Sequence, residues 1–363
     1  MNSALRAEGA FKRPPPFYDQ WQAREGIPIY KRFYIEDLAS VELSDWQRLG
    51  CRGAFVNLAD ADITTAAILE LPPGGETAPV KHMFEALLFV VEGHGRTTVT
   101  YPGYPEAVAQ WEPRALFSPP LNTTYQHRNL NPDKPARLLM VSNAPLVLSL
   151  YHNERFVFDS PIVFEDRFKG EGDFFANPGR YLGGRLWRTN FVPDVAQFAL
   201  MDWQQRGAGA KSFHFSMADN TMACHLSEFD VGTYKKAHRH GPGAHVVILQ
   251  GEGYSLLWEE GKERIKVDWR PGSMFSPPEW WYHQHFNTGA EPARYLALRR
   301  GGSPEHQLRI GMKGGEGEDA GPDQIEYEYE DPAIRELYAR ELTARGVDLR
   351  MPPIDSVSKE TRL

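Results

Sequence analysis

The sequence has little cysteine and no long hydrophobic run. It contains two cysteines in 363 residues, Cys51 and Cys224, too few for the disulfide framework of small secreted proteins, so we expect free thiols in a reducing compartment. No apolar stretch approaches the roughly 20 residues that a membrane helix needs, and the first residues lack the apolar core of a signal peptide. The sequence therefore predicts a cytoplasmic protein without a membrane partner.

An excess of basic charge is also missing. The 40 Lys and Arg residues and the 48 Asp and Glu residues give a net charge of −8, and the two signs are interspersed. Without a basic stripe, we expect no nucleic acid partner. What the chain does have is length, since 363 residues can form two domains with their own cores.

Turn-forming and aromatic residues are abundant, with 32 Gly, 28 Pro and 12% aromatics. Short runs of Val, Ile, Leu, Phe and Tyr alternate with Gly and Pro, most clearly at 86–92 and 245–250, which predicts short strands in a β-sandwich or jelly-roll barrel. Segments 36–49 and 194–206 are predicted as short helices. Asp331 is a good N-cap for a last helix that ends at Gly346.

The chain repeats itself. Asp45-Trp46-Gln47 recurs as Asp202-Trp203-Gln204, and from there the matching residues lie 158 positions apart, as Glu70 and Glu228 do. Phe55 is paired with Phe213 in the same way. A repeat of this length indicates duplicated domains. The predicted segments are an N-terminal arm (1–30), a first barrel (31–155), a connection (156–187), a second barrel (188–303), and a Gly-rich loop with the last helix (304–363).

Five of the twelve histidines fall between residues 232 and 287. They are His238, His240, His245, His283 and His285. On a strand, His238 and His240 point to the same face because they are two residues apart. A third histidine from a later strand would complete a facial set of imidazoles, which suits iron, copper, zinc or nickel.

These segments resemble the two motifs of the cupin superfamily. Gly232 followed by His238 and His240 matches the first motif, and Pro278, His283 and Asn287 match the second. The resemblance implies a mainly β protein of two tandem cupin jelly-roll barrels, with short flanking helices and a C-terminal helix. It also implies that His238, His240 and His283 hold the metal.

One departure narrows the resemblance. The position of the family's glutamate ligand is taken by Ala244, with His245 next to it, and this pattern looks like gentisate and salicylate 1,2-dioxygenases. That group implies Fe(II), with Mn(II) or another divalent metal as alternatives. It implies a small anionic aromatic substrate, O2, and a homo-oligomer, either a dimer or a tetramer.

The first copy matches the ligand histidines poorly. Val80, His82 and Tyr125 stand at the three positions, and a single imidazole does not hold a metal. We therefore expect a first barrel without a metal, which keeps His82, Glu85 and His127 as a polar remnant. In the gentisate dioxygenases it is the first cupin that carries iron, so the substrate cannot be transferred by resemblance alone.

The roles of the other histidines depend on the strand register. His285 shares the face of His283, so it is either a catalytic or substrate group or a hydrogen-bonded core residue. His245 becomes a fourth ligand or catalytic group if the strand bulges. If the strand is regular, Ala244 faces the metal and His245 points away from it.

Further residues are candidates for binding the substrate. Trp280, Trp281 and Tyr282 could line an aromatic pocket or pack in the core. Arg299, or Arg294 on the same closing strand, could hold a carboxylate.

The main functional hypothesis from the sequence is an Fe(II)-dependent dioxygenase that cleaves the ring of a hydroxylated aromatic carboxylate. The alternatives are a metal-dependent non-oxidative enzyme (a hydrolase, decarboxylase or isomerase, with manganese as a candidate metal) and a non-catalytic ligand-binding cupin.

Overall fold

The computed structural model describes residues 14–59, 62–241, 243–302 and 323–353. The strands of the first half are β1 (Ile29–Arg32), β2 (Tyr34–Ile35), β3 (Ser44–Trp46), β4 (Cys51–Leu58), β5 (Thr65–Leu71), β6 (Ala86–Glu92), β7 (Gly95–Thr100), β8 (Ala107–Trp111), β9 (Leu116–Phe117), β10 (Thr124–Asn129) and β11 (Ala136–Ser142).

The strands of the second half are β12 (Arg180–Gly183), β13 (Leu186–Thr189), β14 (Phe191–Val192), β15 (Met201–Asp202), β16 (Lys211–Met217), β17 (Met222–Phe229), β18 (Ala237–His238), β19 (His245–Gln250), β20 (Gly253–Trp258), β21 (Ile265–Trp269), β22 (Met274–Phe275), β23 (Tyr282–Asn287), β24 (Ala293–Arg300) and β25 (Gln324–Ile325). The helices are α1 (Phe17–Arg24), α2 (Ala144–Tyr151), α3 (Glu154–Asp159) and α4 (Pro332–Arg345).

The prediction of two tandem cupin-type barrels is confirmed. In the first barrel an 8-stranded sheet packs with a 3-stranded sheet, β10-β7-β8. Seven strands of the larger sheet follow the order β1-β4-β5-β11-β6-β9-β14, and β3 pairs with β4 beside this path. In the second barrel a 9-stranded sheet packs with a 5-stranded sheet, β21-β20-β23-β18-β25. Eight strands of the larger sheet follow the order β12-β13-β16-β17-β24-β19-β22-β2, and β15 pairs with β16 beside this path.

The two barrels exchange edge strands. Strand β2, from the first half of the chain, pairs with β22 of the second barrel, while β14, from the second half, pairs with β9 of the first barrel. A buried apolar layer lies between the barrels and contains residues of both, among them Ile68, Leu139, Val247 and Leu298. The barrels therefore share both backbone pairing and a core.

A buried ion pair marks the same place in each copy. Arg137 Nε donates to Glu70 over 2.7 Å, and Arg294 Nε donates to Glu228 over 2.8 Å. Each arginine also donates through Nη1 to backbone carbonyls of the segment that leads into its barrel. The two glutamates are therefore placed to hold the entry segments, which is the structural role that their recurrence indicates.

The pairing of Phe55 with Phe213 is wrong by one position. Strand β4 pairs Phe55 with Ala67, and β16 pairs His214 with His225. Since Ala67 and His225 are equivalent, Phe55 corresponds to His214. The turn before β16 is longer than the one before β4, which shifts the strand relative to the simple repeat.

Several local predictions differ from the structure. Segments 36–49 and 194–206 form single 3-10 turns, Leu38–Ser40 and Gln204–Arg206, and short strands in place of helices. Helices α2 and α3 were not predicted. The arm before residue 30 contributes α1, whose Tyr18 and Trp21 are buried in the core of the first barrel.

The C-terminal helix is confirmed. The Asp331 side chain accepts a hydrogen bond from the Ala333 amide, and the helix ends at Gly346, whose φ is 67°. Most of the predicted Gly-rich loop lies outside the described residues. No described helix is both long and apolar enough to cross a membrane.

Candidate metal centre

Three imidazoles meet at one end of the second barrel. His238 on β18 and His283 on β23 are direct partners in the antiparallel pairing, and His240 follows β18 by two residues. One nitrogen from each of the three rings lies within 4.8 Å of the others. Because metal–imidazole bonds are about 2 Å long, three nitrogens this close can meet on one ion.

The hydrogen bonds of two of these rings favour metal binding. Nδ1 of His238 lies 3.1 Å from the Lys236 carbonyl oxygen, and Nδ1 of His283 lies 3.2 Å from the Trp281 carbonyl oxygen. When Nδ1–H donates to a carbonyl, Nε2 is left with a lone pair for a metal. Burial lowers the pKa of His283 to about 4 and that of His238 well below its usual value. The donor set therefore fits a divalent transition metal.

A fourth histidine is held close by. His285 lines the same cavity, and its Nδ1 lies 2.8 Å from Ser255 Oγ. That hydroxyl oxygen accepts a hydrogen bond from Trp269 Nε1 over 3.0 Å. The ring orientation of His285 is thus fixed through its Nδ1.

The first barrel contains the same arrangement. Nδ1 of His127 lies 2.7 Å from Thr97 Oγ1, which accepts from Trp111 Nε1 over 3.0 Å. The motif therefore occurs with and without a set of ligand histidines, so it belongs to the architecture of both barrels. Among the described residues, it is in the second barrel that the motif also places an imidazole beside a candidate metal site.

The cavity in front of the three histidines is strongly positive. It measures about 200 Å³, and Arg206, Lys235 and Arg299 line it. Among its described lining residues none is acidic. Burial lowers the pKa of Arg206 to about 10 and lowers the pKa values of Lys235 and Arg299. Unpaired cations are costly to bury, so the cavity is suited to an anion.

Lys235 is the most enclosed of these cations, with 1% of its surface exposed. Its Nζ donates to Ser227 Oγ and, over 3.0 Å, to Tyr295 Oη, and it lies 4.6 Å from the centre of the Tyr295 ring. These neutral partners solvate the ammonium group without cancelling its charge.

Of these cations, only Arg299 was predicted from the sequence. His214 and His225, whose ring centres are 5.1 Å apart, also line the cavity and were missed. The internal repeat held part of the signal, because at the offset of 158 residues His225 stands where the first copy has Ala67. The strand register of the structure adds that Arg299 is equivalent to Ser142. At both positions the second copy carries a basic or titratable side chain where the first copy carries a small neutral one.

Strand β19 is regular at the decisive position. Ala244, just before it, and Val246 line the cavity, while Val247 belongs to the layer between the barrels. His245 lies opposite Leu298, which also belongs to that layer. Its ring nitrogens make no hydrogen bond of normal geometry with the described residues. The structure therefore places His245 outside the cavity, and it is not part of the site proposed below.

The predicted aromatic wall does not form at the cavity. Trp280 is 58% exposed, and Trp281 packs against Phe33, with ring centres 6.3 Å apart. Tyr282 stacks on Trp258 in the cluster beneath α4. It points away because it neighbours His283 on a strand, where successive side chains alternate.

In the first barrel the polar remnant has structural partners. His82 Nε2 lies 2.7 Å from Tyr125 Oη, and its Nδ1 lies 2.7 Å from the Phe84 carbonyl oxygen. Glu85 accepts from the amides of Thr221 and Met222, at 2.8 and 3.0 Å, and so ties the two halves together. Both nitrogens of His82 are occupied, which leaves none for a metal.

Two jelly-roll barrels in tandem, with a three-histidine cluster in the second, define a two-domain cupin fold. Among solved structures, the chain is similar to the formate complex of Lactobacillus farciminis oxalate decarboxylase, with a TM-score of 0.51, 12% identity, and coverage of 74% of this chain and 86% of that one. A single-site mutant of Bacillus subtilis oxalate decarboxylase gives a TM-score of 0.50, 12% identity, and coverage of 81% and 86%.

A further oxalate decarboxylase structure, concerned with proton-coupled electron transfer, gives a TM-score of 0.50 at 13% identity, with coverage of 81% of this chain and 86% of that one. At these identities the likeness establishes the fold. It supports a two-domain cupin and does not single out the gentisate and salicylate dioxygenases. No protein-family model matches the chain, and no curated protein matches it.

Proposed function

We propose that the second barrel is the active site of a divalent-metal enzyme that acts on a small carboxylate anion by a non-oxidative reaction, decarboxylation being the leading candidate. One observation carries this proposal: three histidine nitrogens within 4.8 Å of one another open onto a cavity lined by three cations and by no described acidic residue. The decarboxylases that share the fold support the choice of reaction.

His238, His240 and His283 would hold the metal, with Mn(II) and Fe(II) as the candidates. A bound metal would supply a Lewis acid that polarises oxygen atoms of the substrate. The three ligands are neutral, so they leave the charge of the metal uncompensated. An anionic substrate is therefore favoured over a neutral one.

The cations would orient the substrate. Arg206 and Arg299 present planar guanidinium groups that suit a carboxylate. The surrounding apolar walls, which include Ala244, Val246 and Ala297, exclude water and strengthen the attraction. These residues would fix which end of the anion faces the histidines.

Decarboxylation breaks a carbon–carbon bond, releases CO2, and leaves an electron pair on carbon that must take up one proton. Lys235 Nζ is a candidate donor, because burial lowers its pKa and so eases loss of its proton. His285, held at Nδ1 by Ser255, is the second candidate. Solvent would return the proton after product release.

Ring cleavage of a hydroxylated aromatic carboxylate with O2 is the second candidate function. It is favoured by the all-histidine donor set, since Ala244 and not a carboxylate faces the cavity. This is the feature by which the sequence resembles gentisate and salicylate dioxygenases.

The test is to load purified protein separately with Mn(II) and Fe(II) and to offer oxalate, malonate, salicylate and gentisate. CO2 release without oxygen uptake supports decarboxylation, whereas stoichiometric oxygen uptake with salicylate or gentisate supports ring cleavage. If the protein binds one of these anions but converts none of them, the result supports a non-catalytic ligand-binding protein. The matched control is His283→Tyr, which installs the residue that the first barrel carries at Tyr125. Turnover that survives this change would contradict the proposal.

A further inference from the structure

The first barrel contains a cavity of its own at the place where the second barrel has its metal site. Val80 and Tyr125, the counterparts of two ligand histidines, line it together with His82. The cavity measures about 430 Å³, which lies within the range of about 300–1,000 Å³ that small-molecule sites occupy.

The interior of this cavity is aromatic and uncharged. Trp21, Trp46, Phe55, Phe84 and Tyr125 are buried and line it. The counterparts of the cavity cations are neutral, since Leu49 and Ser142 line this cavity at the places that Arg206 and Arg299 occupy in the other.

The charged side chains that line the cavity are at least partly exposed. Arg48 and Asp159 are exposed and Lys81 is partly so. Arg48 is paired with Glu25 over 2.7 Å, and its guanidinium lies 4.5 Å from the centre of the Phe158 ring. Charge is therefore confined to the rim and partly cancelled there.

The cover of the cavity has no counterpart in the described part of the second copy. Helix α1 supplies Trp21, whose ring lies 5.7 Å from that of Phe158 and 5.7 Å from that of Phe55. Trp21 Nε1 is buried and has no hydrogen-bond partner among the described residues. A buried donor without a partner is costly, and an acceptor atom on a bound molecule would satisfy it.

We propose that the first barrel binds an uncharged aromatic molecule that carries one hydrogen-bond acceptor. The rings of the cavity wall contact the body of the molecule, and Trp21 Nε1 donates to its acceptor. The proposal is independent of the metal site, because the two cavities share no lining residue.

The probe is acetophenone, an aromatic ring with one carbonyl acceptor, and benzoate is its charged counterpart. Both are titrated calorimetrically into the full-length protein, and the indole N–H resonance of Trp21 is followed by NMR. We expect saturable binding of acetophenone, at least tenfold tighter than any binding of benzoate at this site, with a shift of the Trp21 resonance.

Two variants locate the site. Val80→Phe fills the cavity and should weaken acetophenone binding at least tenfold, whereas Val108→Phe adds the same side chain on β8, where Val108 is 38% exposed, and should leave it unchanged. Trp21→Phe should weaken binding about threefold to tenfold, as loss of one neutral hydrogen bond does. Should Val80→Phe not fold, Trp21→Phe and the NMR shift decide. No saturable binding of acetophenone to the wild type, or binding that these changes leave intact, would overturn the proposal.

Discussion

Replacing Arg299 by serine tests whether the second cavity is an anion site. Serine is the residue that β11 carries at the equivalent position, Ser142, so the strand should accept it. Arg299 lines the cavity, and among the described residues its side chain makes one hydrogen bond, a long one of 3.5 Å to the Arg300 carbonyl oxygen. Its guanidinium is therefore available to a ligand.

The expected loss of affinity follows from charge. Two unit charges about 4 Å apart attract each other by about 4 kcal/mol at an effective dielectric constant of about 20, and part of this is offset by desolvation. A hydrogen bond to a charged group contributes about 1.5–3 kcal/mol. Since about 1.4 kcal/mol corresponds to a tenfold change, Arg299→Ser should weaken binding of salicylate or oxalate by about 10- to 100-fold.

The assay is calorimetric titration of salicylate or oxalate into zinc-loaded protein. The absence of O2 prevents ring cleavage, and a parallel measurement that finds no CO2 release shows that the heat reports binding alone. The matched control is Arg300→Ser, which removes the same charge from the next position of β24. Arg300 is exposed and does not line the cavity, so its replacement should change affinity less than twofold. Equal losses in both variants would show that only net charge matters, and no loss in Arg299→Ser would refute the assignment of the anion site.

Four further changes test other parts of the structure. His283→Tyr should reduce bound metal, measured by elemental analysis, from about one ion per chain to none without unfolding the barrel. Ala244→Glu should keep the metal but weaken salicylate binding at least tenfold, because a carboxylate would enter the cavity. An unchanged affinity would contradict the strand register in which Ala244 faces the cavity. Burial lowers the pKa of Lys235 in the folded state below its ordinary value of 10.5. Between the lowered pKa and 10.5 the folded state binds fewer protons than the unfolded state, so the free energy of unfolding should rise with pH in that window. Lys235→Met should flatten this rise in urea unfolding at pH 7 and 9.5, and an unchanged slope would contradict it. Glu228→Gln should lower the free energy of unfolding by about 3 kcal/mol in the same assay, because it leaves the buried charge of Arg294 without its partner. A decrease below about 1 kcal/mol would contradict a structural role for the Glu228–Arg294 ion pair.

The sequence was most informative where a local pattern determines the structure. Alternation along a strand, counted from Gly251, predicts that Ala244 faces the ligand histidines and His245 faces away, and in the structure Ala244 lines the cavity while His245 does not. The two-residue spacing of His238 and His240 likewise predicted that they would approach a third imidazole. These inferences combined strand geometry and the internal repeat with the resemblance to the two cupin motifs.

Features that depend on distant contacts were not predictable in this way. Arg206 and Lys235 reach the cavity because of how a 3-10 turn and an irregular segment pack, and neither has a periodic pattern. The place of Trp280 depends on its backbone, whose φ is 61°, a value that no strand pattern would suggest. The cover that Trp21 provides comes from an arm outside the repeat.

The exchange of edge strands makes the stability of each barrel depend on the other half of the chain. Each half of the gene encodes a strand that completes the other half's sheet, much as in an intramolecular domain swap. Strand β2 closes the edge next to β22, and β14 closes the edge next to β9. Cutting the chain between the halves would expose two sheet edges and the apolar layer together. Each barrel therefore depends on the other half of the chain, both to complete the edge of its sheet and to cover the apolar layer between the barrels.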